Sequence, residues 1–129
     1  MIDKLRTRIA SKESEGGFTL IELLVVIVII GILLAIAIPS YLGFRTRASQ
    51  AAAKANVRSA IPAVEAYFSD NDTYVGMNLA ALQAIDAGTS PTITVGTVTA
   101  TAYCIQSVTS GQTYRVSGPG GTITSGACP

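Results

Sequence analysis

Hydrophobic and polar positions change pattern three times along the chain, and each change predicts a different element. From Phe18 to Ile38 the residues are overwhelmingly apolar, Glu22 is the one charge among them, and Leu23–Ile38 are uncharged throughout. At the helical rise of about 1.5 Å per residue this segment extends about 31 Å, the thickness of a bilayer's hydrocarbon layer. Beyond Pro39 charge returns: "YLGFRTRASQAAAKANVRSAIPAVEAYFS" is rich in alanine and carries Arg45, Arg47, Lys54 and Arg58. Val57, Ala60, Ile61, Val64, Tyr67 and Phe68 recur at intervals of three and four, so residues 39–69 are predicted as an amphipathic helix whose apolar stripe covers a core. Pro62 interrupts the backbone hydrogen bonding of that helix and predicts a kink over 58–62.

The run "SDNDTYVG" ends the pattern, because Asp70, Asn71 and Asp72 favour turns and oppose the negative end of a helix dipole. Residues 70–91 are expected to be a connecting loop. From Thr92 the period becomes two, with "TITVGTV", "TAYCIQSV", "TYRVSG" and "GTIT" separated by glycine and serine turns, so 92–129 reads as an antiparallel sheet of three to four strands. Such a sheet cannot bury its inner face alone, and the stripe of the second helical segment is its natural cover. The fold class is therefore α+β: a long N-terminal helical spine packed on a small antiparallel sheet. A helix from Phe18 to Ser69 would be about 76 Å long, more than a globule of this size can cover, so its first half needs a bilayer or a bundle of identical helices.

Composition narrows the chemistry. Histidine is absent from the 129 residues, which removes Ser-His-Asp and Cys-His catalysis and the commonest zinc ligand; an enzyme is not expected and no cofactor is implied. Nine Lys and Arg face eight Asp and Glu, and outside residues 1–17 the two signs are equal, so no polycationic surface for nucleic acid is present. Asp70, Asn71 and Asp72 do not continue into a calcium loop, because Tyr74 and Val75 stand where an oxygen ligand and a glycine are required. Threonines 89, 92, 94, 97, 99 and 101 fit ordinary strand composition and fit sugar attachment equally. The aromatics Tyr41, Phe44, Tyr67 and Phe68 are read as helix-packing residues. Cys104 and Cys128 lie outside any C-x-x-C pair; a disulfide is the simplest pairing and would contribute about 3.5 kcal/mol by loop entropy, the alternative being two unrelated buried thiols.

The stretch "GFTLIELLVVIVIIGILLAIAIPSY" resembles the N-terminal segment of type IV pilins and of the pseudopilins of type II secretion, over roughly residues 16–45. The resemblance implies a leader, residues 1–17, removed after Gly17 by a prepilin peptidase, methylation of the new Phe18 amine, and assembly into a helical filament by the pilus machinery. It further implies that Glu22 guides subunit docking and that the helix loosens between Gly31 and Pro39 in the filament. The partners so implied are further copies of the chain, the membrane before assembly, and the peptidase; the implied location is the cytoplasmic membrane, then the cell surface. A pseudopilin of a type II secretion system or a minor pilin shares the same plan.

Elementary chemistry makes parallel demands. Gly16 and Gly17 offer a protease an extended approach without side chains, and Phe18 becomes the terminus. Glu22 then lies four residues on, on the same helical face as the new amine. An acid at midspan costs about 2.5–3.5 kcal/mol by insertion scales, less near a helix end, so the carboxylate calls for a cation, and after cleavage the nearby cations are α-amines. The alternative is that Glu22 complements the helix dipole while reaching the headgroups. A rival processing route exists: Leu23–Leu34 would serve as a signal core and Ala35–Ala37 as a signal-peptidase site, releasing a soluble binding module that begins at Ile38. Lys4, Arg6, Arg8 and Lys12 precede the span and Arg45, Arg47, Lys54 and Arg58 follow it, so the positive charge nearest the span does not orient it; a disulfide would place the C-terminal region outside the cytoplasm.

Overall fold

The structure is a computed structural model that describes residues 17–129, so the expected leader lies outside the described residues except for Gly17. The described chain consists of a helix α1 (Leu20–Asn71), a short helix α2 (Leu79–Ile85) and the strands β1 (Ile93–Val98), β2 (Tyr103–Thr109), β3 (Gln112–Gly118) and β4 (Ile123–Ser125). It divides at Tyr41/Leu42 into two units, the N-terminal apolar part of α1 and a head from Leu42 to Pro129.

In the N-terminal unit α1 starts at Leu20 and is apolar and long enough to cross a membrane. Every residue from Gly17 to Ala48 is exposed, Ile36 and Leu20 at 70% and 88% of their surface. The helix continues through Pro39 and Pro62, each of which withholds one backbone donor, and ends two residues beyond Ser69. Asp72 then takes a left-handed conformation, φ 56°, with its N–H on the Phe68 carbonyl at 2.7 Å, which turns the chain out of the helix.

In the head, the four strands form one antiparallel sheet in chain order. Register decides what faces the helix. Val95 lies opposite Ile105, Ile105 opposite Val116, and Val116 opposite Ile123, giving one apolar row across all four strands. Against it α1 sets Val57, Ala60, Ala63 and Val64, all buried, with Ile61, Tyr67 and Phe68 partly buried at the margin. The alanines let helix and sheet approach closely while the valines supply apolar area, roughly 1.5–3 kcal/mol for each large side chain buried. Arg45, Arg47, Lys54 and Arg58 remain exposed.

The stretch expected as a plain connecting loop, 70–91, contains α2. Asn78 caps it, its side-chain oxygen accepting from the Ala81 N–H at 2.8 Å, and Leu82 is fully buried beneath it. Seven residues are too short to give a clear period of 3.6, which is why the pattern does not announce it. Tyr74 and Met77, also from this stretch, join the core.

Candidate functional site

The N-terminal end of α1 brings Phe18, Glu22, Leu23 and Val26 together around one shallow concavity. Thr19 caps the helix: its hydroxyl accepts from the Glu22 N–H at 3.2 Å and its carbonyl accepts from the Leu23 N–H at 3.2 Å. Thr19 and Glu22 have the Ser/Thr-x-x-Glu spacing of a capping box, in which the acid three positions into the helix also favours its positive end. That spacing was available in "TLIE" and is the signal that would have singled out Thr19. Phe18 itself is 82% exposed. The structure thus places Phe18 and Glu22 on one side of the helix start, with an exposed carboxylate beside the residue that becomes terminal if the chain is cut after Gly17.

Gly31 sits within the exposed apolar helix, and a methyl group added there would meet nothing within 4 Å. Packing inside the chain therefore does not explain a residue that costs a helix about 1 kcal/mol relative to alanine. Pro39, eight positions on, likewise lies within the helix.

The head is closed by a disulfide between Cys104 and Cys128, with Cα atoms 5.9 Å apart. Cys104 points away from the helix, on the outer face of β2, and is buried because the C-terminal tail lies over it. Side chains hold that tail: the Cys128 N–H donates to Gln106 Oε1 at 2.6 Å, Arg115 Nη1 donates to the Ala127 carbonyl at 2.7 Å, and Thr97 Oγ1 donates to the Pro129 carbonyl at 2.9 Å. Gln106 and Arg115 are cross-strand partners, so one outer row of the sheet receives the strap.

On the inner side Tyr74 donates to the Glu65 carboxylate, 3.2 Å to Oε2 and 3.3 Å to Oε1, and the rings of Phe68, Tyr74 and Tyr103 follow one another at centroid distances of 4.6 and 4.9 Å. Burial, then the Glu65 charge, raises the Tyr74 phenol above its ordinary value and pushes Tyr103 up to about 12. Both phenols are neutral at physiological pH and act as packing groups. Sequence pattern had marked Phe68 but not Glu65, Tyr74 or Tyr103, which lie on three separate elements.

Residues 14–38 match the family model described as the Prokaryotic N-terminal methylation motif. The chain is 40% identical over 100 residues to the Type IV wide pilus major component PilA4 of Thermus thermophilus, an alignment that covers 75% of this chain and 76% of that one. This chain belongs to the type IV pilin and pseudopilin family. It is also 50% identical over 58 residues to the Type IV major pilin protein PilA of Myxococcus xanthus, where the match covers 45% of this chain and 26% of that protein. A third relative, the Type II secretion system core protein G of Aeromonas hydrophila, is 38% identical over 63 residues, 49% of this chain and 44% of its own length. The chain thus spans about a quarter of the Myxococcus pilin and three quarters of the Thermus pilin.

Proposed function

We propose that the chain is a structural subunit of a type IV pilus. In this reading it enters the cytoplasmic membrane through the apolar part of α1, is cut after Gly17 by a prepilin peptidase, and is methylated at Phe18. The pilus machinery then moves it into a filament of identical subunits on the cell surface, with the apolar helices inside and the heads outside. Glu22 docks the incoming subunit by meeting an α-amine, and the segment from Gly31 to Pro39 loosens as the helix leaves the bilayer.

The observation that carries this reading is the exposure of the whole apolar helix in a chain whose head is already a closed core. A bilayer offers that helix a solvent, and a bundle of copies offers it a packed interior; the subunit needs both in turn. Filaments sheared from cells test it, with the intact mass and N-terminal sequence of their main subunit. The expected subunit starts at methylated Phe18. A soluble product starting at Ile38 would overturn the reading, and a strain that makes no filaments from this chain but loses protein secretion when it is deleted would assign it to a secretion pseudopilus instead.

A further inference from the structure

Within the head, the charges of α1 are sorted along its length. Arg47, Lys54 and Arg58 are spaced by seven and four residues and so share one face, while Asp70 in the last turn and Asp72 just past it close the helix. This order opposes the helix's own field. The negative end of the dipole carries two acids and no basic residue in its last turn, an arrangement that costs stability within the subunit. Turn formation does not require the charge either, since asparagine or glycine serves the left-handed position of Asp72 equally well.

The cationic face has a shape to match. Lys54, Arg58 and Ile61 form one wall of a groove of about 490 Å³ whose other wall is Gly121, Thr122 and Ile123 at the start of β4. Two of those six residues are cations and none is acidic. Lys54 Nζ stands 4.9 Å from the centre of the Tyr114 ring, which holds the ammonium at the groove without neutralising it. Gly121 is fixed as glycine in that wall, because a methyl group there would collide with the Ser117 carbonyl oxygen.

The geometry points to a second copy of this chain as the occupant: the acidic end of α1 in one subunit, Asp70 and Asp72, enters the Lys54/Arg58 groove of another. This inference rests on the filament reading and specifies a contact within it. The groove and the acidic end lie about 22 Å apart along one helix, so two copies with parallel helices are offset axially by about that distance. A contact between two different patches is heterologous and leaves each patch free for a further copy, so it can propagate along a filament.

Charge reversal on each side, followed by the double reversal, tests this by counting sheared filaments against mature subunit blotted from the membrane. Lys54→Glu with Arg58→Glu, and separately Asp70→Lys with Asp72→Lys, are each expected to reduce filaments at least tenfold, and the four changes together to restore at least half the wild-type number. Normal filaments from either reversed protein, or no recovery in the combined one, would overturn the contact. Should a reversed head fail to accumulate, zero-length carbodiimide cross-linking of wild-type filaments decides. Lys54 is the only lysine among the described residues. A dimer band is expected in which Lys54 is joined to Asp70 or Asp72 of another subunit and which Lys54→Arg abolishes; its absence from intact filaments would overturn the contact. Failure of wild-type cells to yield filaments at all would instead defeat the filament reading on which the contact depends.

Discussion

A methyl group on Gly96 would stand 2.5 Å from Cys128 Cβ and 3.1 Å from its sulfur, so the strand β1 leaves out a side chain where the disulfide passes. The gap falls between Val95 and Val98, where the β1–β2 register slips. Gly96→Ala should therefore prevent the Cys104–Cys128 bond from closing in its present position. We predict thiol labelling of the denatured, unreduced Gly96→Ala subunit and none of the wild type, with a loss of about 2–4 kcal/mol like that of Cys128→Ser. Gly43→Ala, where the added methyl meets nothing within 4 Å, should label like the wild type. A fully oxidised, equally stable Gly96→Ala protein would show that the strand yields at no cost.

That relationship marks a boundary of what the sequence conveys. Periods of 3.6 and 2 exposed the helical stripe and the four strands, because Val57, Ala60 and Val64 and the alternating threonines and valines each repeat a signal over several turns or pairs. The apolar helix and its misplaced acid were equally legible, since a carboxylate in such a run has few neighbours to hide among. Contacts that depend on a single residue from each of several elements were not. Gly96 against Cys128, Tyr74 against Glu65, and Gln106 under the tail all need the sheet register before they mean anything. The helix α2 was missed for another reason: two turns anchored by one buried leucine, Leu82, look like any alanine-rich loop.

Thr92 connects helix, loop and sheet. Its hydroxyl lies 2.8 Å from those of Ser90 and Ser107 and accepts from Asn56 Nδ2 at 3.2 Å, and Ser107 is fully buried on the inner face of β2. Thr92→Val keeps the shape and deprives Ser107 of this partner. The expected loss is about 1–3 kcal/mol in chemical denaturation of detergent-solubilised subunit. Thr94→Val, on the exposed face of β1, should change stability by less than about 0.5 kcal/mol. Equal effects from the two would reduce the network to a surface feature.

Alkaline pH should unfold the head through Tyr103. Its phenol ionises at the ordinary tyrosine value of 10.0 in the unfolded chain and at about 12 when folded, chiefly because it is buried and then because of the Glu65 charge. Between those values the folded state keeps a proton that the unfolded state has lost, so stability is intact below pH 10 and falls as pH rises, by about 1.4 kcal/mol per unit for one group. Tyr74, raised in the same direction, steepens the decline. Melting followed from pH 9 to 11 should show the fall, and Tyr103→Phe should flatten it. A slope unchanged by that substitution would place the sensitivity elsewhere.

Glu22 and Thr19 allow the two roles of the opening acid to be separated. If Glu22 serves its own helix, through the dipole and the capping spacing, then losing the Thr19 hydroxyl and losing the Glu22 charge should do similar, small damage, each about 0.5–2 kcal/mol at a helix end. If it docks one subunit on another, the two substitutions should part company. Glu22→Gln keeps the backbone N–H that donates to Thr19 and lowers the cost of entering the bilayer, so insertion and cleavage after Gly17 should continue and mature subunit should accumulate. Assembly should then fail, because an α-amine drawn into a packed helical core loses a carboxylate worth about 4 kcal/mol at 4 Å and an effective dielectric of 20. Breaking a buried pair typically costs about 3–5 kcal/mol, enough to keep the variant out of filaments even when wild-type subunits are present. Thr19→Ala, with charge intact, should still assemble. Electron microscopy of sheared material beside a membrane blot reads both variants. Abundant filaments from Glu22→Gln, or equal losses in the two, would return the acid to the service of its own helix.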